Sequence, residues 1–116
     1  MRPGEIYLAK FPFGDVPGMK LRPVLLLTPP IGSVPEILVA YISSVVPAHP
    51  LPSDLPIDPA LPEFRGTNLK TTSVLRLHKL ATLHCSSLAR FLGALTDSVR
   101  GEVGSKLSDL LRTFQK

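Results

Sequence analysis

Two short, wholly apolar runs constrain this chain most. Val24-Leu25-Leu26-Leu27 and Ile37-Leu38-Val39-Ala40-Tyr41-Ile42 are far shorter than the ~20 residues a membrane helix needs. They are apolar at every position rather than at every second one, so each predicts a strand covered on both faces. Breakers bound them. Arg22-Pro23 heads the first, Pro29-Pro30-Ile31-Gly32 ends it, and Ser43-Ser44 closes the second. The chain must therefore build a curved or layered sheet with a charged residue on one lip and hydroxyls on the other.

The rest of the pattern supplies further strands and one helix. Glu5 to Phe11 is rich in strand formers and predicts a first strand, broken by Phe11-Pro12-Phe13-Gly14. The loop that follows holds Gly14, Pro17 and Gly18, and a mobile backbone is expected there. Arg22 to Thr28 is the second strand and Glu36 to Ser43 the third. Residues 47 to 62 contain six prolines. Proline has no ladder donor, so this stretch admits only a short edge strand, Leu55 to Asp58. A polar loop, Glu63 to Lys70, leads into a strand from Thr71 to Leu77, with Lys79 to Leu83 continuing it or forming another. Ser86 as N-cap and Gly93 as stop predict a short helix to Phe91. Val99, Val103, Leu107, Leu110, Leu111 and Phe114 recur at helical spacing and predict a C-terminal helix capped by Thr96 or Asp97. Gly101 and Gly104 fall on its other face, as surface glycines or as a place for a partner chain. The expected fold is mainly β with a C-terminal helix. It is one domain over residues 1–116, a small, partly open barrel of SH3-like or OB-like type.

Charge and cysteine content narrow the chemistry. Thirteen Lys and Arg against nine Asp and Glu give a net charge of +4, which favours a polyanionic partner. The single cysteine, Cys85, excludes an internal disulfide and a cysteine zinc cluster. His84 is its neighbour, but adjacent strand residues face opposite ways, so a Cys–His nucleophile is not expected. No metal-ligand spacing surrounds His49 or His84, Asp54 and Asp58 sit among prolines, and neither a phosphate loop nor a hydrolase elbow is present. No metal or cofactor is expected. Met1-Arg2-Pro3-Gly4-Glu5 has no apolar signal core, so the expectation is a cytoplasmic protein with no membrane partner.

Arginine is always charged and presents a planar fork of donors suited to phosphate. Arg22, in a basic chain and near Ser43 and Ser44, points to RNA phosphate chemistry. Lys20, Arg65 and Lys70 lie in the two polar loops beside that lip and are candidates for RNA phosphates. Arg76 and His78, two apart on one strand, share a face.

Taken in order, Gly4-Glu5-Ile6, Arg22-Pro23-Val24-Leu25, Ile42-Ser43-Ser44, Thr72-Ser73-Val74-Leu75-Arg76, Ala81-Thr82-Leu83 and Gly93-Ala94-Leu95-Thr96-Asp97 resemble the MazF/PemK family of toxin endoribonucleases. The resemblance runs over roughly residues 3 to 113. It implies an SH3-like barrel that cleaves single-stranded mRNA without metal, by attack of the ribose 2′-hydroxyl on the adjacent phosphate. It implies that Arg22 stabilises the phosphorane, that Ser43 bonds the scissile phosphate, and that Ser44 and Thr72 contact RNA. Arg76 and His78 fall where the PemK branch carries an arginine and an aspartate as acid and base, so histidine replaces the aspartate here. The branch's loop histidine has Val16 in its place. A homodimer and a cognate antitoxin occupying the RNA groove are implied as well. Two rivals stand beside this reading: a catalytically impaired RNA- or antitoxin-binding module of the same fold, and a CcdB-like gyrase inhibitor. The latter resemblance calls for a Trp-Gly-Ile ending, whereas this chain has no tryptophan.

Overall fold

The computed structural model describes residues 1–11 and 20–116; the expected glycine-proline loop, Asp15 and Val16 lie outside the described residues. Six strands form one antiparallel sheet: β1 (Glu5–Phe11), β2 (Lys20–Leu26), β3 (Glu36–Ser43), β4 (Asp54–Ile57), β5 (Ser73–His84) and β6 (Leu88–Ala94). The helix α1 (Asp97–Arg112) follows. The strand order is β4-β5-β3-β2-β1-β6, so β2 and β3, built on the two apolar runs, sit at the centre. The proline segment supplies β4 at one edge, as the missing donor of Pro56 requires.

The sheet curls without closing. A 3₁₀ turn over Pro62–Thr67 packs against β6 and makes the shape barrel-like. Gly93 makes that packing possible. A Cβ there would collide with the Gly66 carbonyl oxygen and lie 2.8 Å from the Thr67 carbonyl carbon. One apolar core lies between the sheet and α1, with Ile6, Leu25, Ile42, Leu75, Leu77, Val99 and Val103 at its heart. A smaller one gathers Ala9, Val24, Leu26, Ile37, Val39 and Leu83.

Three expectations are corrected. Residues 88–94 are strand, not helix: they pair along β1 from Ala9↔Leu88 to Glu5↔Ala94. A two-turn helix is marginal alone, and sheet pairing with a buried Gly93 outweighs it. Ser86 is capped rather than capping, because its amide donates to His84 Nδ1 at 3.0 Å in a three-residue 3₁₀ turn. The second strand covers Lys20–Leu26 rather than ending at Thr28, since the Thr28 hydroxyl leaves the ladder to accept the Leu38 amide. The residues from Ser73 to His84 form one long strand, bent by a bulge opposite Ala40 and Tyr41.

The C-terminal helix forms as the periodicity predicts, with the Thr96 hydroxyl accepting the Val99 amide at 3.3 Å. Only its first half is buried: Val99 and Val103 enter the core, while Leu111 near its end is 59% exposed and Phe114, in the 3₁₀ turn after it, 91%. An added Cβ on Gly101 or Gly104 would meet nothing within 4 Å.

Candidate functional site

The β2–β3 ladder pairs Leu26 with Val39, Leu25 with Ala40 and Val24 with Tyr41, and stops there. Pro23, next in line, has no amide hydrogen to continue it. Beyond the last pair the strands part, and a pocket of about 460 Å³ opens. Arg22 and Pro23 of β2 line it, with Ile42 and Ser44 at the end of β3, Asn68 to Thr71 of the polar loop, and Arg90 to Leu92 of β6. Asn68 holds two of these walls together. It closes the Pro62–Thr67 turn in the left-handed conformation at φ 55°, which asparagine tolerates, and its side-chain amide donates to the Leu92 carbonyl at 2.7 Å.

Arg22, Lys70 and Arg90 bring three cations to this pocket, and no carboxylate among the described residues lines it. Arg22 is half-buried, and its Nε is shielded from water with no acceptor among the described residues. A buried donor left unpaired costs ~1–3 kcal/mol. A guanidinium kept in that state at a cationic pocket is pre-set for an anion that brings its own acceptors.

The other residues named from sequence divide into two groups. Ser44 and Lys70 line the pocket. Ser43 does not: its hydroxyl accepts the Val45 amide at 3.1 Å and closes the turn after β3. Lys20, Arg65 and Thr72 are exposed and lie outside the pocket wall. Arg76 and His78 come together a strand further on, over Asp54 of β4. Asp54 pairs directly with Arg76 across the β4–β5 ladder, and Arg76 pairs with Tyr41 across β5–β3. Arg76 Nε donates to Asp54 Oδ1 at 3.0 Å and Nη2 to Oδ2 at 3.4 Å. His78 Nδ1 lies 3.0 Å from Ser53 Oγ and 3.9 Å from Asp54 Oδ1. Lys79, the next residue, sets its Nζ 5.9 Å from the Tyr41 ring centre.

The Asp54 side chain has no exposed surface. Burial alone would raise its pKa. The Leu51 amide, the Arg76 hydrogen bonds and charge, and His78 outweigh that and hold it below its ordinary value. Sequence reasoning set Asp54 aside as one acid among prolines. The signal that could have found it is its position at the head of a short edge strand, since a ladder gives every edge residue a partner. Asn68 and Arg90 were missed too, because nothing local marks either.

His84 and Cys85 do not form a nucleophile pair. His84 Nδ1 accepts the Ser86 amide, and Cys85 is half-buried against the smaller core. No helix of the described residues is long and apolar enough to cross a membrane.

A curled antiparallel sheet, a C-terminal helix and a guanidinium-lined pocket where two central strands part define a small β-barrel class with an anion-seeking mouth. The sequence matches, over residues 2–111, the family described as PemK-like, MazF-like toxin of type II toxin-antitoxin system; the chain belongs to that family. Comparison with curated proteins finds no match. Among solved structures, the fold is similar to Mycobacterium tuberculosis toxin MazF-mt6, with a TM-score of 0.69 and 24% identity over 93% of this chain and 96% of that one. A mycobacterial endoribonuclease in complex with its cognate antitoxin gives a TM-score of 0.65 and 14% identity over 96% and 94% of the two chains. A MazE–MazF structure from Deinococcus radiodurans gives 0.63 and 18% over 95% and 94%. At these identities the likeness is one of fold.

Proposed function

We propose that this toxin is an endoribonuclease that cuts single-stranded RNA by transesterification. The 2′-hydroxyl attacks the adjacent phosphorus, the 5′-oxygen leaves, and a 2′,3′-cyclic phosphate remains. A base must take the hydroxyl proton, a donor must stabilise the phosphorane, and an acid must protonate the leaving oxygen. The observation that carries this reading is Arg22 Nε, buried at the cationic pocket with no acceptor among the described residues. Its guanidinium is the phosphorane donor, so the charge is met by a side chain and no metal is required. Ser43, released from Val45, bonds the scissile phosphate. His78 is the base and Arg76 the acid, on the face shared by Tyr41. Lys20, Ser44, Arg65, Lys70 and Thr72 hold the flanking RNA, whose unpaired bases splay onto the loops.

The setting follows from the family. A cognate antitoxin covers the same pocket, the toxin acts as a homodimer in the cytoplasm, and mRNA is the target. Similar folds solved in complex with a cognate antitoxin or as MazE–MazF support an antitoxin as a partner.

A second reading has two observations in its favour. Ser43 is spent on Val45 and Arg76 on Asp54, as in a binding module with impaired catalysis. One experiment separates the two. A long single-stranded RNA is cut, its cut sites are mapped, and a 2′-deoxy nucleotide is placed 5′ of one of them. Loss of that cut alone is expected. Undiminished cutting at the deoxy site rejects transesterification, and no cutting of any RNA leaves the binding module.

A further inference from the structure

The Arg76–His78 pair is held by two neighbouring residues to which no role has been given, Ser53 in the turn before β4 and Asp54 at the head of β4. Ser53 and Asp54 are both buried, and they meet the pair from the edge of the sheet. Asp54 is fixed on three sides: the Leu51 amide donates to Oδ2 at 2.8 Å, and Arg76 donates to both carboxylate oxygens. Ser53 is fixed by its backbone, since its carbonyl accepts the Leu77 amide at 3.0 Å. Leu77 lies between Arg76 and His78, so this bond locks the two side chains to one face at the bulge.

The contacts at His78 also bear on its tautomer. Ser53 Oγ and Asp54 Oδ1 both approach Nδ1, at 3.0 and 3.9 Å. A serine–histidine–aspartate relay needs the two groups on opposite ring nitrogens, so this trio is not one. A hydroxyl can donate to Nδ1 or accept from it. The buried anion beside Nδ1 decides between these, because it attracts the ring proton to that side. Nδ1–H then donates to Ser53 Oγ, and the lone pair stays on Nε2. That is the form a base needs.

We propose that Asp54 is the positioning residue of the cleavage site: it aims the Arg76 guanidinium and keeps the His78 proton on Nδ1, leaving Nε2 to take a proton from substrate. Ser53 completes the arrangement as the acceptor. Asp54 itself has no exposed side-chain surface and does not touch RNA. The proposal rests on the endoribonuclease reading above. Asp54 on β4 and Arg76 and Lys79 on β5 are the charged groups beside His78 among the described residues, Asp54 being the one anion of the three; Lys106 of α1 reaches the turn before β4, where its Nζ donates to the Pro52 carbonyl at 3.2 Å.

The test uses the whole chain and compares wild type with Asp54→Asn, which keeps the shape and can still accept the Leu51 amide. Rates on a cleavable RNA are measured against pH, and the His78 ring tautomer is read from long-range proton–nitrogen NMR couplings. Asp54→Asn is expected to lower kcat by about 10–100-fold, the range for losing a group that orients a reacting one. KM should stay within about twofold. Wild-type His78 should be the Nδ1–H form, and the variant should shift towards Nε2–H. Should Asp54→Asn fail to fold, Ser53→Ala removes only the acceptor and is expected to shift the tautomer and slow cleavage in the same sense. A wild type that cleaves while the variants keep its kcat and tautomer, whatever their melting temperatures, overturns the proposal alone. A wild type that cleaves no RNA at any pH overturns the endoribonuclease reading and this proposal with it.

Discussion

Arg22 sits where stability and function pull in opposite directions. Its Nε is shielded and has no acceptor among the described residues, none of which draws stability from that donor. Arg22→Ala should therefore leave the melting temperature unchanged or raised. It should cut the RNA cleavage rate by ~10²–10³, as when one transition-state donor is lost. Arg22→Lys should restore little, since an ammonium lacks the two-pronged fork. A calorimetric scan beside a cleavage time course checks both halves. A variant that melts far below wild type would make Arg22 a packing residue. This lip was legible in the sequence because Arg22-Pro23 stands at the start of an apolar run. Asp54 was not, because its meaning comes from a partner 22 residues away, across a ladder whose register no local pattern specifies. Ser43 was proposed from its position in the chain, whereas its bond to Val45 depends on how the turn closes.

The elements divide by the same physics. β2 and β3 could be read from their apolar runs, and α1 from its spacing and Thr96 cap, since these signals are local. β6 could not. Leu88 to Ala94 has no alternation to mark it, with only Gly93 buried, and it is strand because β1 offers it a ladder. Gly93, read as a helix stop, is instead the point where β6 and the Pro62–Thr67 turn touch. Gly93→Ala should destabilise by at least the ~1–3 kcal/mol of an overpacked core, because backbone atoms stand where the methyl would go. Gly101→Ala should stabilise by up to ~1 kcal/mol, since it lies inside α1 with open space beyond its Cα. Urea unfolding of both variants measures the contrast. Equal effects would mean that the turn does not press on β6. Leu111 at the end of the helix and Phe114 in the 3₁₀ turn after it are apolar but exposed, so helical spacing identified the helix and overstated both its length and what it buries.

At the scale of the whole molecule, Asp54 ties stability to pH. Its carboxyl is held below the ordinary value of 3.8 in the folded chain. The unfolded chain binds that proton first as pH falls. The stabilisation is thus complete above the unfolded value and is lost as pH drops through the lowered folded value. Wild type should lose stability below about pH 4, and Asp54→Asn should flatten that limb while lying lower at neutral pH. Chemical denaturation at pH 3 to 7 gives the two curves; parallel curves would show that Asp54 is not anchored in solution as the ladder places it. Asp54 clasps β4 to β5 at one edge of the curl, Gly93 seats a turn on β6 at the other, and between them the central strands part at Pro23. The pocket, the cations and the unspent donor meet there.

The most direct measurement is cleavage of a long single-stranded RNA by the purified chain in excess chelator, with product ends identified by mass spectrometry. The account predicts discrete cuts that persist in chelator, end in 2′,3′-cyclic phosphate and fall by ~10²–10³ with Arg22→Ala. Cleavage that vanishes in chelator and returns with magnesium, or products lacking the cyclic phosphate, would contradict it.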